Sequence, residues 1–388
     1  MAMPAASAPP DEDDPAAAAP AAAEIPSATA LTQALLAWYD AAHRTLPWRP
    51  ERPEDRDAYR TWLSEIMLQQ TRVETVKPYY ARFLGRFPTV QALAAAPLDE
   101  VLGLWAGLGY YSRARNLHAA AQQVAEAGAF PATVEGLQGL PGVGPYVAAA
   151  VGSIALGRDA AAVDGNVVRV LSRLWAEAGG PARIQAHAQA LLPAGRAGDF
   201  NQALMDLGSA VCTPRNPACL ACPLAPGCQA LRQGRVADFP PAKARRVVPE
   251  RAAVALVLYQ GPQVLLARRP AEGLFGGLYE LPGDMLAEGE DPADAAVRVA
   301  WSRLGLRAEA GLPLGRVQHT LTHMHLLLHV LPLRVSAPAA SAAPTLAWYT
   351  AGTWADPAQP GELGLSTLSR KALRLLSPAG GAATPRRR

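Results

Sequence analysis

The position of the cysteines constrains this chain more than any other feature. All four lie within 17 residues, at Cys212-x6-Cys219-x2-Cys222-x5-Cys228, in a chain of 388 residues. A disulfide framework spreads its cysteines through a small secreted domain, so this cluster points to a metal site in a reducing compartment. Structural zinc sites commonly pair two Cys-x2-Cys hairpins across a gap, and one such pair is present here. Four thiolates this close suit a cubane [4Fe–4S] cluster with one cysteine per iron; zinc and free thiols are the alternatives.

Half of the residues are apolar and the formal net charge is +3, an ordinary globular composition with enough chain for two domains. The 33 glycines and 36 prolines follow no triplet period, which excludes a collagen-like fibre. The basic residues are almost all arginine. Lysine occurs only at Lys77, Lys243 and Lys371, so chemistry that needs a lysine nucleophile has few places to reside. The first 30 residues hold five acids and no base, leaving the rest more basic than the whole and open to nucleic-acid contact. The Ala/Pro/Asp opening lacks the basic start and apolar core of a secretory signal. The uncharged stretch 138–157 has the length of a membrane span. Its Leu140-Pro141-Gly142-Val143-Gly144-Pro145 half turns rather than spans, so no membrane segment is expected.

Five segments follow from the patterning. Residues 1–29 form an Ala/Pro-rich tail with an acidic knot at 11–14, expected to be disordered. In residues 30–232, Trp62, Leu63, Ile66 and Met67, then Val73, Val76, Tyr80, Phe83, Leu84 and Phe87, recur at helical spacing, without an alternating strand. An all-α domain of roughly ten short helices is predicted there, with the cysteine loop 212–228 as its clip. Residues 233–250, with Phe239-Pro240-Pro241, read as an interdomain linker. Residues 251–376 change period. Strands are predicted over 252–259 and 263–268 around a Gly261-Pro262 turn, then a helix over 291–304 and a strand over 326–335, making an α+β domain. Residues 377–388, ending in three arginines, are expected to be a disordered basic tail.

Two carboxylates have the chemistry of N-glycosidic cleavage. Glu65 lies in Trp62-Leu63-Ser64-Glu65-Ile66-Met67, among apolar neighbours at helical spacing. Partial burial there raises a carboxyl's pKa and keeps a proton available near neutral pH. Asp164, in Val163-Asp164-Gly165-Asn166-Val167, follows an apolar run and suits a loop or helix start lining a cavity. Such a pair protonates a leaving base and faces a cationic sugar, as in glycoside hydrolysis. Taken singly, the two residues read first as a surface glutamate and a helix-capping aspartate. The Leu140-Pro141-Gly142-Val143-Gly144 turn exposes backbone N–H groups at a helix N-terminus, a phosphate site that needs no side-chain charge.

The cysteine spacing and this turn resemble the iron–sulfur loop and helix-hairpin-helix of the endonuclease III superfamily of DNA glycosylases. Leu63-Ser64-Glu65-Ile66-Met67-Leu68-Gln69-Gln70-Thr71 and Asp164-Gly165-Asn166-Val167 are similar to the MutY-type adenine DNA glycosylases, the branch that removes adenine mispaired with 8-oxoguanine. The resemblance implies that Glu65 protonates adenine at N7. It implies that Asp164 stabilises the oxocarbenium ion or forms a transient sugar adduct, with Tyr146 and Asn166 in support. Arg49, from Leu46-Pro47-Trp48-Arg49, and Gln202, from Phe200-Asn201-Gln202, would belong to the adenine pocket. Gln70 and Tyr110 would fill the gap left by an extruded base, with Arg113 beside them on the DNA. Leu140, Gly142 and Gly144 would hold phosphate. The implied cofactor is a [4Fe–4S] cluster on Cys212, Cys219, Cys222 and Cys228. The implied partner is duplex DNA with an A:8-oxoguanine or A:G mispair, met by a monomer in the cytoplasm at the nucleoid. Superfamily members that also cut the backbone carry a lysine two positions after the hairpin. Tyr146 stands there, so base removal without a Schiff base is expected. The stretch 49–58 is longer than in the family and leaves that wall of the pocket unassigned.

The second domain resembles a Nudix fold through Leu281-Pro282-Gly283-Asp284-Met285-Leu286-Ala287-Glu288-Gly289-Glu290 and the helix after it. A working Nudix helix presents Arg-Glu-x-x-Glu-Glu to magnesium, whereas this one reads Arg298-Val299-Ala300-Trp301-Ser302-Arg303. Nucleotide hydrolysis is excluded on charge grounds. A Nudix-like domain without metal resembles the C-terminal domain of the adenine glycosylases, which helps recognise 8-oxoguanine. The family's Phe-Ser-His is Leu321-Thr322-His323 here, so Thr322 and His323 are the residues implied to touch DNA.

Overall fold

A computed structural model describes residues 26–242, 247–335, 345–361 and 363–376. Residues 1–25 and 377–388 of the two expected tails, and 243–246 of the expected linker, lie outside the described residues. The first part is helical: α1 (Ala28–Ala42), α2 (Ala58–Leu68), α3 (Val73–Arg86), α4 (Val90–Ala95), α5 (Leu98–Trp105), α6 (Ser112–Ala127), α7 (Val134–Gln138), α8 (Pro145–Leu156), α9 (Gly165–Leu174), α10 (Pro181–Leu191), α11 (Ala197–Ala210) and α12 (Gln229–Arg232). That is more helices than the spacing predicted. The extra ones, such as α4, α7 and α12, have four to six residues and are too short to show a period.

Polar caps fix where several helices begin. Asp57 accepts the Arg60 N–H at the start of α2, and Thr89 and Thr133 do the same for α4 and α7. Each such cap contributes about 1 kcal/mol. The helices form two cores. One gathers Trp62, Leu63, Met67, Tyr80, Phe83, Trp105, Leu117 and Val147 from α2, α3, α5, α6 and α8. The other gathers Leu35, Val167, Leu171, Ile184, Phe200, Leu204 and Leu207 from α1, α9, α10 and α11, with three of the cysteines against it.

The second part is α+β: β1 (Glu250–Val257), β2 (Tyr259–Gln260), β3 (Gln263–Arg268), β4 (Tyr279–Glu280), β5 (Gly283–Met285), α13 (Pro292–Leu304), β6 (Ala308–Ala310), β7 (Gly315–Thr320), β8 (His325–Val335), β9 (Ala351–Ala355) and α14 (Thr367–Arg374). One sheet runs β5-β1-β8-β6 with β7 on β8, and the other joins β2, β3 and β4, with β9 on β3. β1 and β8 pair in parallel, Glu250 opposite His325 through Val257 opposite Pro332. Both faces of β1 are covered, which explains its unbroken apolar run. Ala253, Ala255 and Val257 face a core closed by Leu368, Ala372 and Leu373 of α14. Val254 and Leu256 face one closed by Ala296, Val299 and Leu304 of α13. Among the described residues no helix is long and apolar enough to cross a membrane.

Candidate active site

A cleft opens between the two helical cores, and both sequence-predicted acids line it. Glu65 comes from α2, which is buried on nearly every side. The residue is 7% exposed, more deeply placed than the sequence implied. Burial pushes its carboxyl up to about 7; the Tyr146 hydroxyl opposes this, the charge of Asp164 adds to it and Arg49 lowers it. Tyr146, in the first turn of α8, donates its Oη–H to Glu65 Oε2 at 2.8 Å. The same burial and the neighbouring acids hold the Tyr146 phenol well above its ordinary range, so it remains a donor.

Asp164 is the N-cap of α9. Its Oδ1 accepts the backbone N–H of Asn166 and of Val167, both at 2.8 Å, and its Oδ2 accepts Asn166 Nδ2 at 2.8 Å. The capping role that a plain reading gave this residue is therefore real, and it aims the carboxylate into the cleft rather than away from it. Asn166 carries a second bond, accepting Arg169 Nη2 at 2.9 Å. The strand of chain before Asp164 is held by Asn201, which accepts the Ala162 N–H at 3.0 Å and donates to Ala160 O and Ser153 Oγ, each at 2.8 Å.

Arg49 and Gln202 also line this cleft. Gln202 Nε2 donates to Gly198 O at 3.2 Å. Arg49 donates from Nη1 to Asp206 Oδ2 at 2.7 Å and to Arg44 O at 3.1 Å. Asp206, which the sequence reading did not single out, is fully buried on the wall and also binds Arg44 Nε at 2.8 Å. Its signal was available: it lies four residues after Gln202, on the same face of α11. The long stretch 49–58 forms a single 3-10 turn over Pro53–Asp55, and Arg56 pins it to Asp199 of α11 by an ion pair.

A second hollow adjoins the cleft, lined by Gln70, Tyr110, Arg113, Asn116 and Gly142 among others. Gln70 and Tyr110 both adopt left-handed backbone, with φ of 55° and 48°. Such conformations cost a non-glycine residue of order 1 kcal/mol and persist because the surroundings impose them. Arg113 lies beneath both loops. It is buried, and its Nη1 donates to the carbonyls of Ile66, Met67 and Gln69 while Nη2 reaches those of Leu108 and Gly109. A guanidinium so committed staples the Gln70 and Tyr110 loops together from beneath.

In the hairpin, Leu140 is buried and Gly142 has φ +74°, where a Cβ would strike Asn116 at 2.7 Å. Gly144 differs from the expectation for a turn glycine: its φ is −83°, and a Cβ there would meet nothing within 4 Å. Its bareness leaves the N-terminus of α8 uncovered.

Cys212, Cys219, Cys222 and Cys228 line one apolar cavity with Val170, Leu174, Leu207 and Leu224. None is in a disulfide. Arg173 Nη1 lies 3.3 Å from Cys212 Sγ and donates to Thr213 O at 2.8 Å, a cation suited to thiolate. Among the described residues no three His, Cys, Asp or Glu are gathered as a single ion requires. The donor set fits a group large enough to take one thiolate at each corner better than it fits one ion.

In the second domain, Thr322 and His323 are exposed at the β7–β8 hairpin tip, where Leu321 N–H bonds Met324 O at 2.9 Å. Two of the Nudix-like acids, Asp284 and Glu290, are occupied by arginine. Asp284 Oδ2 lies 2.6 Å from Arg303 Nη2, whose guanidinium sits 3.8 Å from the Trp348 ring centroid. Glu290 takes Arg298 through Nε at 2.7 Å and Nη2 at 2.8 Å.

Two family descriptions match the chain: "HhH-GPD superfamily base excision DNA repair protein" over residues 63–194 and "NUDIX domain" over residues 253–375. The adenine DNA glycosylase of Mus musculus is 39% identical over 84% of this chain and 75% of its own length. That of Homo sapiens is 38% identical over 84% of this chain and 71% of its own. Among solved structures, a thermostable thymine-DNA glycosylase is 29% identical, with a TM-score of 0.48, over 53% of this chain and 97% of its own.

Proposed function

The chain belongs to the adenine DNA glycosylases of base excision repair, and from that premise we propose that it removes adenine opposite 8-oxoguanine or guanine and leaves the DNA backbone uncut. The observation that carries the reading is the pair of unlike carboxyls on one cleft. Glu65 is buried and holds a proton to about pH 7, while Asp164 faces the same space with its oxygens fixed by three N–H donors.

Glu65 gives its proton to N7 of an extruded adenine. The C1′–N9 bond breaks with its electron pair passing to the base, and the sugar is left as an oxocarbenium-like cation. Asp164 stabilises that cation across the cleft, and water adds to C1′ as its proton passes to the Glu65 carboxylate, restoring the acid. Tyr146 steadies the Glu65 carboxyl, and Asn166 steadies Asp164. Arg49 and Gln202 form walls of the base pocket, Arg49 through its hold on Asp206. Among the described residues the cleft lining includes arginine but no lysine, so base removal without a Schiff base is the expected chemistry.

Gln70 and Tyr110 enter the gap that extrusion leaves. Leu140, Gly142 and Gly144 present the α8 N-terminus to a phosphate, and Thr322 and His323 touch the base opposite the adenine. A [4Fe–4S] cluster on Cys212, Cys219, Cys222 and Cys228 would clip residues 212–228 to α9 and α11, supplying folding energy rather than electrons. We further propose residues 30–232 as the glycosylase domain and 251–376 as the recognition domain, joined by 233–250, with the whole acting as a monomer on nucleoid DNA in the cytoplasm.

The test uses an A:8-oxoguanine duplex under single turnover. Strand breaks are expected only after alkali, and borohydride should trap no protein–DNA adduct. Breaks without alkali, together with a trapped adduct, would overturn the reading.

A further inference from the structure

The two domains meet beside Tyr110. Leu278 of the second domain is fully buried in the core of the first, against Leu102 of α5. Gly364 faces both side chains, where a Cβ would come within 3.3 Å of Leu278 and 3.4 Å of Leu102. Arg115 of α6 donates to Gly276 O at 2.6 Å, and Arg268 pairs with Asp99 at 2.6 Å.

Tyr111 lies at the centre of this contact. Its ring is buried, its Oη accepts the Gly107 N–H at 3.1 Å, and it donates to Leu365 O at 3.3 Å. One hydroxyl therefore ties both ends of the 107–111 loop, and through it the backbone of Tyr110, to the second domain. Leu365 is followed at once by Ser366, the N-cap of α14. Lys371 of α14 donates to Gln318 O of β7 at 3.3 Å, and β7 ends at Thr320, two residues before Thr322. Phe275 offers a parallel route, packing on both cores with its ring 6.3 Å from that of His319 in β7.

We propose that Tyr111 is a positioning residue that couples the loop contacting the opposite base, Thr322–His323, to the side chain entering the duplex at Tyr110. The proposal rests on the roles given above to Tyr110 and Thr322, and it adds a specificity determinant that touches neither DNA nor the cleft. A buried hydroxyl of this kind is worth about 1 kcal/mol, or roughly fivefold in a rate. Contiguity alone does not establish coupling, so the test is a double-mutant cycle.

Single-turnover rates on A:8-oxoguanine and A:G duplexes give a preference ratio for the full chain. Tyr111→Phe keeps the ring and should lower that ratio about fivefold. Thr322→Ala should lower it as well, and the double variant should fall no further than the lower single one. Arg115→Met, which cuts the neighbouring tie, should move the ratio in the same direction and guards against a folding defect peculiar to Tyr111. An equal loss on both duplexes, an unchanged ratio, or independent effects of Tyr111 and Thr322 would overturn the coupling. A wild-type chain that removes adenine without preferring 8-oxoguanine would instead sink the opposite-base role given to Thr322 and His323, and the coupling with it.

Discussion

Two groups of acids in this molecule have opposite fates. On the glycosylase cleft, Glu65 is buried with a tyrosine hydroxyl as its partner, so its proton is retained. On the Nudix-like face, Asp284 and Glu290 each hold an arginine from α13, and their charge is spent internally. An acid is chemically available where its neighbours are donors and apolar groups, and inert where a guanidinium answers it. Even within the cleft the contrast repeats: Asp206, between Arg44 and Arg49, is wall, while Glu65 and Asp164 are left facing open space.

The sharpest break in that contrast comes from the available acids. Glu65→Gln removes the proton donor without changing shape and should cost about 10²- to 10⁴-fold in single-turnover adenine release. Asp164→Asn should fall in the same range, with binding to the mispaired duplex retained by gel shift. If either variant keeps full rate, the acids are not the chemistry. A smaller effect is expected from Cys222→Ser. Iron content per chain should drop, and the thermal midpoint should fall by several degrees, because the 212–228 loop loses its clip. Tyr146→Phe deletes a donor that favours the ionised carboxyl, so the alkaline limb of the rate profile should move to higher pH. A limb displaced to lower pH would mean that Tyr146 acts in another way. The mildest change is expected on the paired acids. Arg303→Met should destabilise the second domain by about 1 kcal/mol in denaturant titration, since Asp284 is partly solvated. It should create no magnesium-dependent nucleotide hydrolysis.

Legibility followed the strength of local signals. β3 was readable as a short apolar run after a Gly-Pro turn, and α13 as 13 residues at helical spacing with Asp291 marking the start. β4 and β5, of two and three residues, had no period to read. The parallel pairing of β1 with β8 joins segments 75 residues apart and exists only through the shared core. At the site, Glu65, Asp164 and the cysteines were visible because their strings are local. Asp206 was missed because its meaning comes from Arg44 and Arg49, about 160 residues away. The structural bonds of Arg113 were hidden for the same reason, because the carbonyls of Ile66, Met67 and Gln69 that it meets belong to a distant segment of the chain.

Glu65 must carry a proton into the reaction for adenine to leave. Its folded pKa is raised, so the reactive acid form is populated below about pH 7 and lost as pH climbs through that value. The measurement is the single-turnover rate of adenine release from an A:8-oxoguanine duplex between pH 5.5 and 9. A rate that declines about tenfold per unit above the limb near 7 is the predicted result. A rate that stays level or rises across the alkaline range would contradict it.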